Sequence, residues 1–292
     1  MINSIGIIGA GRVGGALSLL LREKGFNISG VYSKSLSSAE KLALKINSFV
    51  FRDLESLVME SELIFITTPD REIARVAREI AKIPNLKGKY FAHTSGSQCY
   101  KILSPIKEKG GITFTMHPLQ AIASPEMGRQ VMPEAYFSLE GDPEGVKLGA
   151  YLVRVLGAKV LYLKENQKSL YHAGAVVASN YLVTLIDIAL ELLEISGIDR
   201  EEGYRALKPL ILGTLNNIEK YGTVKALTGP IARGDTLTIE QHLEKLQDYP
   251  KLMEFYRVLG KRTLEMAQKR DDYNPEKGQE ILKLFEGEKF NG

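Results

Sequence analysis

Ile5-Gly6-Ile7-Ile8-Gly9-Ala10-Gly11-Arg12-Val13-Gly14 stands near the start of the chain and decides how the rest is read. Ile5 to Ile8 is an uncharged, isoleucine-rich run of strand length, which reads as a buried strand. The spacing that follows is G-x-G-x-x-G, and Ala16 to Lys24 then reads as a helix stopped by Gly25. The glycine string alone is a weak signal. Between a strand and a helix it becomes specific, because each glycine then has its own task. Gly9 permits the tight turn, Gly11 lets a diphosphate approach the backbone, and Gly14 lets the helix lie close to the strand. The free N–H groups and positive end of that helix stabilise phosphate charge. Gly9, Ala10, Gly11, Arg12, Val13 and Gly14 are therefore candidate dinucleotide-binding residues. The plainer alternative is a glycine-rich turn with no ligand.

Working outward, short β-rich runs alternate with helical stretches. Asn27 to Tyr32 is the next strand and Ser37 to Ile46 the next helix. Leu63 to Thr68 is a strand ended by Pro69, and Asp70 to Lys82 is a helix whose Arg71, Arg75, Arg78 and Lys82 are spaced for a solvated face. Tyr90 to His93, Ile112 to Met116, Tyr136 to Leu139 and Lys159 to Leu163 are further strands, with a helix over Pro143 to Leu156. This alternation predicts an α/β Rossmann domain over residues 1–164, a doubly wound and mostly parallel sheet. Beyond it the pattern is helical: Ser169 to Ser196, Arg200 to Lys220, Ile239 to Lys245, Pro250 to Lys269 and Pro275 to Phe285. Residues 165–292 are expected to form an all-α domain for substrate binding and dimerisation.

Composition bounds the function. A chain of 292 residues makes one large domain or two ordinary ones, and it buries enough surface to fold without a staple. Lys plus Arg is 38 and Asp plus Glu is 35, so the net charge of +3 leaves no footprint for nucleic acid or an anionic membrane. The single cysteine, Cys99, excludes an intrachain disulfide framework, and four histidines leave little room for a metal cluster, so no metal is expected. The apolar stretches read as strand-length or broken by charge, so no membrane span is expected. Met1-Ile2-Asn3-Ser4 lacks a basic region before an apolar core, and a cytoplasmic protein is expected.

The end of the second strand bears on the choice between NAD and NADP. An NAD site usually places a carboxylate there for the ribose 2′-hydroxyl. This strand ends Val31-Tyr32-Ser33-Lys34-Ser35, with two hydroxyls and an ammonium able to bind a 2′-phosphate. NADP(H) is favoured, with Ser33, Lys34 and Ser35 as its candidate ligands. Ser35 and Ser37 can equally cap the next helix. Thr67, Thr68 and Pro69 follow a strand at the carboxyl edge of the sheet and are candidate cofactor residues. The alternative is a helix start, with Thr68 as cap and Pro69 in the first turn.

Reduction of a carbonyl or imine leaves charge on the heteroatom, so the site must supply a proton or a strong donor. Ala92-His93-Thr94-Ser95-Gly96-Ser97 and Phe114-Thr115-Met116-His117-Pro118-Leu119-Gln120 both end strands. Ser95 and His117 are expected to face one substrate group from adjacent loops, with Ser97 and Gln120 as substrate contacts. His93 lies in an apolar run and suits a buried, bonded role. Lys168, His172 and Ser179 share one helical face, and Asn180 borders it. That stretch is either a site wall or a tightly packed helix. Arg233, in Leu227-Thr228-Gly229-Pro230-Ile231-Ala232-Arg233-Gly234-Asp235, suits a carboxylate clamp, or else pairs with Asp235 or caps a helix.

Together the glycine turn, His93-Thr94-Ser95-Gly96-Ser97, His117-Pro118-Leu119-Gln120, Tyr171-His172-Ala173-Gly174 with Ser179-Asn180, and Leu227-Thr228-Gly229-Pro230 with Arg233-Gly234-Asp235 carry a resemblance. The chain resembles a bacterial family of Rossmann-like oxidoreductases with a C-terminal helical domain of unknown function. That family is similar to the 6-phosphogluconate-dehydrogenase-like superfamily, and some members look like alternative ketopantoate reductases. The resemblance implies an NADPH-dependent reductase of a small 2-oxo acid, with ketopantoate the leading substrate, and a homodimer associating through its helical domains. It also implies a proton donor: prephenate dehydrogenases carry similar Ser and His-Pro loops, which adds weight to His117. The lysine that ketopantoate reductases place four residues before the asparagine is Val176 here, leaving His117 or His172 as donor. The rival readings are reduction of a cyclic imine, a prephenate-like compound or a deazaflavin, and a non-catalytic NADP(H) sensor.

Overall fold

A computed structural model describes residues 2–164 and 166–287. Glu165, with which the helical domain was expected to open, and Met1 lie outside the described residues. In chain order the first part runs β1 (Ile5–Ile8), α1 (Arg12–Glu23), β2 (Ile28–Tyr32), α2 (Leu36–Ile46), β3 (Phe49–Val50), α3 (Leu54–Met59), β4 (Leu63–Ile66), α4 (Asp70–Ile80) and β5 (Tyr90–His93). It continues with α5 (Ser104–Lys107), β6 (Ile112–Leu119), α6 (Pro125–Val131), β7 (Tyr136–Gly141), α7 (Pro143–Val155) and β8 (Lys159–Tyr162).

The strands form one eight-stranded sheet in the order β3-β2-β1-β4-β5-β6-β7-β8. Neighbours pair in parallel except β6 and β7, which are antiparallel. The α/β Rossmann reading holds. Side-chain alternation splits the burial between the two faces. Ile5, Ile7, Phe65, Phe114, Met116 and Phe137 join one apolar core, and Ile8, Ile64, Ile66 and Phe91 join another. Strand order reverses at β1 and β4, where a doubly wound sheet opens a crevice at its carboxyl edge.

The remaining helices are α8 (Lys168–Ile195), α9 (Arg200–Ala226), α10 (Pro230–Arg233), α11 (Thr236–Lys245), α12 (Pro250–Ala267) and α13 (Pro275–Glu286). The chain divides into compact units at Leu182 and Val183, inside α8. The first turns of α8 belong to the sheet unit because Lys168 and Tyr171 bond to β6. Among the described residues the second unit has no strand. Its core is Ile239, Leu243, Leu264, Ile281, Leu284 and Phe285. Helix α9 breaks at Gly222, whose φ of 74° is left-handed.

Two expectations are corrected. His117 and Pro118 lie within β6, not in a loop beyond it. Proline lacks an N–H, yet β6 pairs with β5 only over Ile112 to Thr115, so beyond that it has a partner on one side only and tolerates proline as an edge strand does. Helix α8 is long and apolar enough to cross a membrane by length and composition. Ser169 to Ile186 contains no Asp, Glu, Lys or Arg, though His172, Ser179 and Asn180 are polar.

Candidate functional site

Gly11 caps α1 without a side-chain bond, and the first turn of that helix holds no acidic residue. The N-terminus of α1 is thus a bare cluster of backbone donors. The three glycines behave differently. Gly9 has φ +106°, and a Cβ there would lie 2.9 Å from the Thr67 backbone. A Cβ on Gly14 would lie 2.2 Å from Thr67 Oγ1 and 2.4 Å from the Gly9 carbonyl oxygen. Gly11 has nothing within 4 Å of that position. Gly9 and Gly14 therefore serve the fold, while Gly11 leaves open space where a ligand would approach. Val13 packs on the core, and Arg12 is exposed.

A cavity of ≈ 270 Å³ begins at Gly9, Ala10 and Gly11 and runs past Thr67, Thr68 and Pro69 to Ser33, Lys34, Ser38, Glu72 and Arg75. Thr67 Oγ1 donates to the carbonyl of Gly9 at 2.7 Å, which ties β4 to the glycine turn. Thr68 Oγ1 is buried with no hydrogen-bond partner among the described residues. Thr68 does not cap α4; Pro69 holds that position. Of the two readings of this segment, lining the cavity is the one its geometry matches. Ser35 instead caps α2, its Oγ accepting from the Ser38 N–H at 3.3 Å, and it is absent from the cavity lining.

Arg75 was read as part of a solvated face, yet it lines this cavity. The order β2-β1-β4 brings the start of α4 beside the end of β2, which no local pattern announces. Glu72 Oε2 accepts from Lys34 Nζ at 2.6 Å and from Arg75 Nε at 3.0 Å. The Lys34 bond, then that of Arg75, hold the Glu72 carboxyl below its ordinary pKa. Two cations thus converge on one carboxylate at the end of the cavity away from the glycine turn.

A second cavity of ≈ 590 Å³ is lined by His117, Leu119, Gln120, Ala121, Leu161, Tyr171, His172, Gly174, Ala175, Val176, Ala178, Ser179 and Asn180. The expected His117, His172, Gln120 and Asn180 meet here; Ser97 and Arg233 are not in this lining. Ser97 Oγ donates to Asp70 at 2.6 Å. Arg233 ends α10 in the second unit, where Asp235 caps α11 by accepting from the Thr238 N–H.

The expected partnership of Ser95 with His117 is corrected. Ser95 Oγ accepts from the N–H groups of Ser97 and Gln98, and so builds its own turn. Nδ1 of His117 is bonded to the Tyr171 hydroxyl at 3.0 Å. Tyr171 was quoted in the sequence only as part of a motif; its role follows from α8 lying against β6. With the phenol donating to Nδ1, His117 carries its proton on Nε2. Gly96 lies between the rings: a Cβ there would be 2.7 Å from both His117 Nε2 and His172 Nδ1. His172 Nδ1 is buried without a hydrogen-bond partner among the described residues. Burial, then the charge of Lys168, lowers the His117 pKa to about 4. Burial also lowers His93 to about 3; its Nδ1 accepts from the Ser95 N–H, as suits a neutral structural histidine.

Two family models match the chain: a Rossmann-like domain over residues 2–118, and a domain of unknown function, DUF2520, over 135–263. No curated protein matches. Among solved structures, a candidate NADP oxidoreductase of Bacteroides fragilis is 25% identical, with TM-score 0.71 over 89% of this chain and 97% of that one. A protein of Thermotoga maritima is 24% identical, with TM-score 0.72 over 90% and 98%. A reductive aminase of Aspergillus terreus, in complex with NADPH and ethyl levulinate, is 19% identical, with TM-score 0.63 over 96% and 99%. Residues 2–118 are thus similar to a Rossmann-like domain and residues 135–263 to the DUF2520 domain.

Proposed function

We propose that the chain binds NADP(H) along the glycine turn and reduces a small 2-oxo acid, with ketopantoate as the first compound to test. The observation that carries this reading is the cavity that runs from the bare Gly11 to two cations, Lys34 and Arg75, both bonded to Glu72, from which a 2′-phosphate would draw them. The N-terminus of α1 would hold the diphosphate, and Ser33, Lys34, Ser38 and Arg75 the 2′-phosphate. The orphaned Thr68 hydroxyl fits a polar ligand on the same wall. When bound, the nicotinamide supplies the hydride. As His117 passes its Nε2 proton to the substrate heteroatom, the Tyr171 phenol proton moves to Nδ1, and Tyr171 regains a proton from solvent in the cavity. Gln120, Ser179 and Asn180 orient the substrate from the cavity wall.

A second reading is imine reduction. It is favoured by the absence of any Lys or Arg from the lining at His117, which leaves a carboxylate no ammonium or guanidinium partner there. A panel of ketopantoate, other 2-oxo acids and cyclic imines, followed by loss of NADPH absorbance, separates the two. Saturable oxidation with ketopantoate supports the first. Turnover confined to imines supports the second. Tight binding with no turnover on the panel overturns both in favour of a sensor.

The cofactor end has its own test. Lys34→Ala and Arg75→Ala should each weaken NADPH binding about tenfold, the size of one lost bond to a charged group, and leave NADH binding unchanged. Equal losses for both nucleotides would place the 2′-phosphate elsewhere.

We also propose that the chain is a homodimer. Val177, Tyr181, Val183 and Leu185 are exposed on α8, and Leu210, Leu212, Leu215 and Tyr221 on α9. A second copy offers the same apolar rows, so a two-fold contact covers both sets at once. Sedimentation should give twice 32.4 kDa at micromolar concentration. A monomer mass there would contradict it.

A further inference from the structure

Lys168 is 2% exposed and is among the largest fully buried side chains of the protein. A buried ammonium is costly unless its surroundings are built for it. The sheet supplies that seat. On β6, Phe114 and Met116 face the apolar core, so Thr113, Thr115 and His117 face the other way. Register places His93 of β5 opposite Thr115, Glu140 of β7 on its other side, and Ser138 opposite His117. His93, Thr115 and Glu140 thus form one polar row across three strands. Nζ of Lys168 donates to Thr115 Oγ1 at 2.7 Å, in the middle of that row.

Glu140 is 4% exposed, and neither of its carboxylate oxygens accepts a hydrogen bond among the described residues. Its charge acts on the Lys168 ammonium across the row. One turn further along α8, Tyr171 bonds His117. The same helical turn therefore seats a cation behind β6 and fixes the ring that faces the cavity. The catalytic reading above leaves this cation without a task.

We infer that Lys168 is a positioning residue for the reduction: its ammonium, seated on Thr115 behind His117, adds to burial in holding that ring as the neutral imidazole that accepts from Tyr171 and donates from Nε2. The inference rests on His117 being the donor group of the proposed reductase. A second proton on His117 would have to enter at Nδ1, reversing the Tyr171 bond beside a fixed positive charge. The other groups facing His117 divide in sign. His172 on α8 opposes a second proton, and Asp70 at the start of α4 favours it. His93 lies in the same row, held neutral by burial. The Cys99 thiol, pushed up by burial and by Glu140, stays uncharged at neutral pH. The ammonium is the strongest charge acting on His117 after the effect of burial itself. Burial lowers the pKa of Lys168 to about 8, so it still carries its proton at pH 7.

The test is a pH titration of ring-labelled histidine by NMR on the full chain, without cofactor or substrate. Four histidines give four resolvable signals. The wild-type His117 signal should not titrate between pH 5.5 and 8. In Lys168→Met its midpoint should rise by about one pH unit or more, a tenfold gain in proton affinity. Lys168→Arg, which keeps the charge, should hold it at the wild-type position. Thr115→Val, which keeps the volume and removes the seat, should shift it in the same direction by less. This second variant decides the matter if Lys168→Met does not fold. A wild-type His117 that titrates between pH 6 and 7 would overturn the inference. So would a midpoint unmoved in every folded variant. Where turnover is measurable, Lys168→Met should move the acid limb of its pH profile up by about one pH unit with NADPH affinity unchanged, and Lys168→Arg should hold the limb at the wild-type position. A chain that fails to bind NADPH yet shows the predicted titrations would sink the reductase reading and leave the electrostatic role standing.

Discussion

His117→Ala lowers kcat by about 100- to 10,000-fold and leaves the NADPH dissociation constant unchanged. That range is the usual contribution of one positioned acid or base. The ring lines the cavity of ≈ 590 Å³ and is absent from the lining that begins at the glycine turn, so cofactor affinity is insulated from it. Tyr171→Phe should fall in the same direction by less, because the ring remains but loses its bond at Nδ1. Steady-state kinetics with a direct nucleotide titration on each variant check this. Turnover preserved in His117→Ala would move the donor role to His172, the other ring beside Gly96.

Gly11→Val keeps the wild-type melting temperature within about two degrees and weakens NADPH binding at least 100-fold. The added side chain meets nothing in the protein, since the space above Gly11 is open. It does meet a diphosphate approaching the N-terminus of α1, and it removes two or more charge-assisted N–H bonds. Gly14→Ala behaves in the opposite way. Its Cβ collides with Thr67 Oγ1 and the Gly9 carbonyl, so the fold loses about 1–3 kcal/mol, as an overpacked site does. Thermal melts and titrations on the pair separate a ligand-contacting glycine from a packing glycine. Equal loss of stability in both would mean that the motif serves the turn alone.

The glycine turn, the strand–helix alternation and the helical second half were legible because each follows from local pattern: β-branched runs, glycine stops and 3.6-residue periodicity. Within the Rossmann half, Phe49–Val50 and Leu54–Met59 are too short to carry a period, and they emerge only from the structure. The site was half legible. His117, His172, Gln120 and Asn180 announce themselves by residue type at strand ends and on a helix of small residues. Arg75 does not. Arg75 sits in a row of basic residues that looks solvated, and only strand order turns it toward β2. Lys168 was legible as one face with His172 and Ser179, but only the polar face of β6 and β7 explains its burial. Ser95 misled because a serine beside a glycine reads equally as a catalytic group and as the builder of its own turn.

The most direct test of the account is a fluorescence titration of the wild-type chain with NADPH and with NADH under the same conditions. The account predicts a saturable NADPH signal, with NADH weaker by at least about tenfold, because Lys34 and Arg75 have a phosphate to bind only in the former. No saturable signal with either nucleotide would contradict it.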